Sequence, residues 1–222
     1  VWLDARANDA SCLLRLEDID PNRAKREWSD ALVEDLHWLG LDWDDIIVQT
    51  EQHDAHEAAL DTLAEHGLLY GCTCSRGLIK RTAALAADGS RRYPGTCQHR
   101  RLDKGTWRTF EGAVRFRVPS RPYIANLLAG GSRTFYPAQE LGDPVIRRKD
   151  GAVAYHLAVV VDDITAGVTR VVRGRDLVFA TGIHLALYEA LGAPAPSYYH
   201  HLLLMEPRPV MNGLHQKLAK LH

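Results

Sequence analysis

Apolar positions along the chain recur with two periods, and each change of period marks an element. Residues 11–20 begin apolar and end in carboxylates, which predicts a strand running into a turn at Pro21; helical spacing over 22–39 predicts the helix that follows. Residues 40–45 read as a turn, 46–49 as a short strand, and 51–66 as a helix closed by Gly67. An Ala-rich helix is expected over 78–87 and an alternating strand over 112–118. A further strand is expected at 134–136, with a loop over 119–132 between the two. Residues 142–151 read as a strand and an Asp-Gly turn. The apolar run from Tyr155 to Asp163 is too dense to lie outside the core. It leads to a strand over 168–172, a helix over 176–191 closed by Gly192, and a buried strand over 199–205. Residues 1–7 carry no helix start signal and read as the tail of a helix. Residues 217–222 stop without a terminating element, as expected of a stretch of a longer protein.

Composition adds the class. The 222 residues are 46% hydrophobic and 25% charged, within the ordinary globular range. No apolar run approaches the roughly 20 residues a bilayer helix needs, and the first residues lack the order of a signal peptide, so a cytoplasmic address is expected by default. A formal net charge of -1 argues against a non-specific polyanion binder. A local basic patch does exist: Arg91, Arg92, Arg100, Arg101, Lys104 and Arg108 could meet a phosphate backbone, with Trp107 either stacking on a base or packing inward.

Candidate chemistry sits in three places. Glu17, Asp18 and Asp20 lie at the carboxyl end of the first strand, where open α/β sheets bind ligands; helix capping is the alternative use of Asp20. Arg173 ends a strand with no obvious local anion. It calls either for a carboxylate-bearing ligand or for an internal salt bridge to Asp162 or Asp176, and Tyr155 stands at the other end of the same apolar stretch. Cys72, Cys74 and Cys97 cluster as metal ligands do in a reducing compartment, with Tyr93 or His99 as the fourth donor to a structural Zn²⁺. Cys12, alone in an apolar strand, reads as a small buried hydrophobe. His53, His56 and Glu57 share a helix face, but solvated polar residues are the commoner reading. Lys217 and Lys220, as a bare pair, read as solvated.

Longer ordered motifs carry a resemblance. LLRLEDIDPNR (residues 13–23), YHLAVVVDD (155–163) and VTRVVRG (168–174) resemble the glutamyl branch of the class I aminoacyl-tRNA synthetases. CTC (72–74) with YPGTC (93–97), RKDG (148–151) and RGRDL (173–177) resemble the short paralogues of that branch that load glutamate onto the queuosine base of tRNA(Asp). The resemblance implies an α/β fold: a Rossmann-like class I synthetase catalytic domain with a parallel sheet, plus a small zinc-binding insertion. Residues 1–70 would form the first half of the catalytic domain and 71–110 the insertion. Residues 111–222 would hold the acceptor-binding region and the second half. It implies an ATP-dependent, Mg²⁺-assisted glutamate ligase, expected to be a monomer. Glu17, Tyr155 and Arg173 would bind glutamate, Lys217 and Lys220 would bind ATP, and Tyr93 would complete a zinc site with Cys72, Cys74 and Cys97. Departures exist. The HxGH motif is not in this stretch, Ala219 stands where the lysine loop usually has serine, and Thr181-Gly-Ile-His184 replaces a TPxQ helix start. A catalytic fragment of a glutamyl-tRNA synthetase and a non-catalytic tRNA-binding module of the same fold are the rival expectations.

Overall fold

The computed structural model describes residues 1–20 and 24–205. After α1 (Trp2–Ala7), β1 (Leu13–Leu16) crosses through α2 (Arg26–Trp38) to β2 (Asp45–Val48), and the two strands pair in parallel with Leu13 opposite Asp45. Cys12, at the foot of β1, is buried as expected. A 3-10 turn then enters α3 (His53–Glu65), whose Ala59, Leu60, Leu63 and Ala64 face the core. Gly67 takes φ 67, a left-handed conformation that costs glycine little, and ends the helix one residue before the chain turns into β3 (Leu69–Cys72).

The middle of the chain is antiparallel. It contains α4 (Arg76–Thr82), α5 (Thr106–Thr109), β4 (Ala113–Phe116), the hairpin β5 (Tyr123–Asn126) and β6 (Ser132–Phe135), α6 (Pro137–Glu140) and β7 (Val145–Arg147). Strands β3, β4 and β7 form one sheet. Leu69 lies opposite Phe116 and Cys72 opposite Ala113, so the residues between leave and return through a strand pair. Of the expected divisions, 70/71 falls inside β3 and 110/111 just before β4. Parallel pairing resumes after α7 (Tyr155–Thr165): β8 (Arg170–Gly174) is followed by α8 (Ala180–Ala190) and β9 (Ser197–His201), with Arg173 opposite His200. The α/β class with parallel strands is therefore present. Among the described residues it takes the form of two parallel pairs, β1–β2 and β8–β9, rather than one ladder.

Three elements differ from the sequence expectation. The Ala-rich helix ends at Thr82, because Ala86 and Ala87 give their amides to Ser90 and Glu140 and Leu85 bridges Arg91, pairing that overrides alanine's helix propensity. Residues 119–132, expected as loop, contain β5, where Tyr123 and Ala125 are buried and Ile124 and Asn126 are exposed. The last strand begins at Ser197 and ends at His201; Leu202 and Leu204 are 78% exposed, so the apolar run marks no buried strand there.

One core runs from α3 through β4, β5 and β6 to α7 and α8. At its rim sits a fully buried carboxylate. Asp162 accepts from Gln49 Nε2 at 2.7 Å, meets His56 Nε2 at 2.8 Å, and lies 3.7 Å from Arg15 Nε, which ties α7 to β1, α3 and the turn between them. Two of His53, His56 and Glu57 stay at the surface while His56 turns inward to this carboxylate, so the three do not converge as metal ligands. Removing the acceptor would leave several donors buried without partners. Asp162→Ala is expected to destabilise the protein by about 3 kcal/mol or more, read as a lower midpoint in urea denaturation; a shift below about 1 kcal/mol would contradict this role.

Candidate active site and metal centre

A cavity of about 830 Å³ opens between the two parallel pairs. Arg15 and Glu17, alternate residues of β1 and its end, line one side, and Arg173 of β8 lines another. Tyr155, Val159 and Asp163, spaced four apart on one face of α7, form the floor. Glu17, Tyr155 and Arg173, far apart in sequence, thus share one cavity. A smaller cavity of about 350 Å³, lined by His53, Trp107 and Arg147 among others, contains none of the three.

Charge is distributed unevenly along these walls. Arg15 donates to Asp163 at 2.6 Å and reaches Glu17 at 3.4 Å. Burial disfavours its charge, yet Asp163, Glu17 and Asp162 outweigh burial and raise its pKa. Burial in turn raises the pKa of Asp163, against the Arg15 guanidinium 2.6 Å away, which favours its ionised form. Burial also raises the pKa of the Tyr155 phenol, against the pull of Arg173 and with a contribution from Glu17, which places all three within electrostatic reach of one another.

Arg173 is half-buried rather than buried, and opens onto the cavity. Its Nη1 donates to His184 Nδ1 at 3.0 Å, its Nη2 to Thr181 Oγ1 at 2.7 Å, and its Nε to His200 Nε2 at 3.5 Å. Asp162, one internal partner weighed for it, is instead taken by Gln49, His56 and Arg15. The other strand-end carboxylates are structural: Asp18 caps Thr50 through its amide and hydroxyl at 2.9 and 2.6 Å, and Asp20 accepts from Arg148 at 3.0 Å. Sequence reasoning gave no role at the cavity to Arg15, Asp163, His184 or His200. Arg15 carried a local signal, its position two residues before Glu17, and His184 stood out only as a departure from a TPxQ helix start. Lys217 and Lys220 lie outside the described residues.

Within the insertion, Cys72, Cys74 and Cys97 bring their Sγ atoms within 4.8 Å of one another. Cys74 and Cys97 are 3.6 Å apart, and the Tyr93 hydroxyl lies 3.4 Å from Cys72 Sγ and 3.5 Å from Cys74 Sγ. A tetrahedron with metal–sulfur bonds of about 2.3 Å has edges of roughly 3.8 Å, close to the separations of 3.4, 3.5 and 3.6 Å found here, so the four atoms are grouped as Zn²⁺ ligands would be. His99 is exposed and stands outside the cluster. Burial works against a thiolate at Cys97, but hydrogen bonds from Tyr93, the Thr73 backbone and the other thiols bring its pKa down to about 7. Burial and the three thiols hold the Tyr93 phenol protonated, so metal charge is what would release its proton. Arg115 lies 3.7 Å over the Tyr93 ring. Trp107 is buried and donates to Asp61 at 2.9 Å; it packs rather than offering a stacking face. Of the basic patch, Arg108 is taken by Asp61 and Glu57, and Lys104 by Glu65.

The profile of a family described as tRNA synthetases class I (E and Q), catalytic domain, matches residues 1–211. The chain belongs to that family. Among class I synthetases of known sequence it is 40% identical over 240 residues to the glutamyl-Q tRNA(Asp) synthetase of Nitratidesulfovibrio vulgaris, an alignment covering 100% of this chain and 71% of the relative. To the glutamyl-Q tRNA(Asp) synthetase of Pseudomonas syringae pv. tomato it is 42% identical over 207 residues, covering 93% of this chain and 66% of the relative. The glutamate–tRNA ligase of N. vulgaris is 40% identical over 225 residues, of which this chain spans 46%. The chain thus covers about two thirds of the length of its glutamyl-Q relatives and under half of the ligase. Among solved structures, the glutamate-tRNA synthetase of Elizabethkingia anophelis superposes with a TM-score of 0.78 at 24% identity over 99% of this chain and 48% of that one, a likeness of fold.

The cluster geometry is testable without any activity assay. Purified protein is expected to carry one zinc, and Tyr93→Phe to weaken its retention about tenfold or more against a competing chelator, with His99→Ala unchanged. Zinc lost from the His99 variant and kept by Tyr93→Phe would reverse the assignment.

Proposed function

We propose that the protein activates glutamate with ATP and transfers it to the queuosine base of tRNA(Asp), acting in the cytoplasm. The observation that carries the reading is the convergence of Glu17, Tyr155 and Arg173 on one cavity whose walls offer an acid, a phenol and a guanidinium. Glu17 would accept from the substrate ammonium, Tyr155 would orient it, and Arg173 would grip the side-chain carboxylate with two parallel N–H bonds. The α-carboxylate then attacks the α-phosphorus of ATP, pyrophosphate leaves, and the acyl group moves from the adenylate to the acceptor hydroxyl. Mg²⁺ would accompany ATP and supply charge neutralisation at the triphosphate. Lys217 and Lys220 would stabilise the departing pyrophosphate. Protein groups here position and neutralise rather than exchange protons, which suits a site holding fixed ion pairs and few free acids. Zinc at Cys72, Cys74, Tyr93 and Cys97 would pin the insertion; four protein donors would complete its tetrahedron and leave no open position for catalysis. Relatives named glutamyl-Q tRNA(Asp) synthetase, at 40–42% identity, support this acceptor.

The second reading, a catalytic portion of a glutamate–tRNA ligase, is favoured by the 40% identity to such an enzyme. ATP–pyrophosphate exchange on the full-length protein separates the two. Glutamate is expected to drive exchange without tRNA; exchange that appears only with tRNA added would favour the ligase, and none under either condition would sink both readings. Arg173→Ala is expected to lower kcat/KM for glutamate about a thousandfold or more, because a carboxylate would enter the cavity without its charged partner. Full activity in that variant would remove Arg173 from the substrate site.

A further inference from the structure

Arginine 173 has five N–H bonds, and among the described residues three side-chain acceptors take one on each nitrogen. Beyond these three contacts lie one N–H on Nη1 and one on Nη2, the pair needed for a bidentate carboxylate. The acceptors that take the other three are unusual for a guanidinium. None is a carboxylate: they are the His184 and His200 imidazoles and the Thr181 hydroxyl.

Hydrogen-bond polarity settles the protonation of this cradle. Arg173 can only donate, so His184 accepts through Nδ1 and carries its proton on Nε2, from which it donates to His156 Nδ1 at 3.2 Å. Thr181 Oγ1 accepts from Nη2 and so donates its own proton to His200 Nε2 at 3.0 Å. Both imidazoles that touch the guanidinium are therefore neutral. Burial and the adjacent positive charge act in the same direction, holding His156 and His200 down to about 4 and His184 well below its ordinary value. The cradle is also rigid. Thr181 and His184 lie on the first turn of α8, His156 on α7, and His200 opposite Arg173 in the β8–β9 ladder. Gly182, between the two α8 residues, sits where an added Cβ would fall 2.9 Å from Phe135 Cβ, so its lack of a side chain lets α8 approach β6 this closely.

We propose that His184 and Thr181 are positioning and specificity-determining residues: as neutral acceptors they fix the plane of the Arg173 fork without cancelling its charge, and thereby make the cavity select a carboxylate over a carboxamide. This rests on the reading of the cavity as a glutamate site. A carboxylate in place of His184 would orient the fork equally well but would neutralise it, and a free anion would then gain little over a neutral amide. Lost orientation and lost charge are thus separable by mutation.

The test is glutamate- and glutamine-dependent pyrophosphate exchange on the full-length protein. His184→Gln, which keeps a neutral acceptor, is expected to hold the glutamate-to-glutamine preference within about threefold of wild type, whereas His184→Asp is expected to lower it at least about a hundredfold. Thr181→Val, close in volume, is expected to raise KM for glutamate about tenfold while KM for ATP stays within about twofold. Thermal melting of each variant separates misfolding from these effects. If wild type shows no exchange with glutamate, the functional reading fails. With wild type active, an undiminished preference in folded His184→Asp, or an unchanged glutamate KM in Thr181→Val, overturns the proposal. Should His184→Asp not fold, the Thr181→Val result and that of His184→Gln decide alone.

Discussion

Asp162 is acidic, inaccessible to water, and surrounded by donors from three different parts of the chain. A carboxylate in that setting is tolerated only because Gln49, His56 and Arg15 all point at it. The same constraint places the cavity between the two parallel pairs. Arg15 is drawn toward the Asp162–Asp163 pair, which holds the end of β1 against α7, and Glu17 follows two residues later on the same face. On the far side, Tyr155 and His156 at the start of α7 meet Arg173 and His184. A single helix thus carries contacts to both halves of the binding surface, and its interior, Leu157 to Val161, is what the core grips.

Much of this could be read from the order of residues. Apolar runs and helical spacing located β1, β2, α3, β4 and α8 to within a few positions, most plainly in α3, which buries Ala59, Leu60, Leu63 and Ala64 and leaves its other face more open. The signal failed where pairing rather than burial decided conformation. Residues 83–87 are alanine-rich yet extended, since their amides find partners on Ser90 and Glu140 that no local pattern announces. β5 lies in a stretch whose glycines, prolines and serines read as loop, which hid the burial of Tyr123 and Ala125. Leu202 and Leu204 mimic a core strand and lie exposed.

Site residues divide in the same way. Glu17, Tyr155 and Arg173 belong to ordered motifs, so their types and spacing were visible in one dimension. Their supporting groups were not. His184 looked like a departure from a glutamine, and His200 like one of several polar residues in an apolar stretch; only the parallel register of β8 and β9 sets the second against Arg173. The cysteine cluster was legible through its spacing. The choice between Tyr93 and His99 needed the fold, which turns the phenol toward the thiols and leaves the imidazole in water.

The two parallel pairs share no ladder among the described residues, and this gives α7 a further office. Asp163 is latched to β1, while Tyr155, eight residues earlier, sits beside the guanidinium of β8. Eight residues of α-helix rise about 12 Å, a length that hydrogen bonds along the axis keep stiff. The span between the two walls is therefore gauged by a rod laid across them rather than by strand register. Whatever bridges the two walls would meet a spacing set by the same helix that anchors the fold.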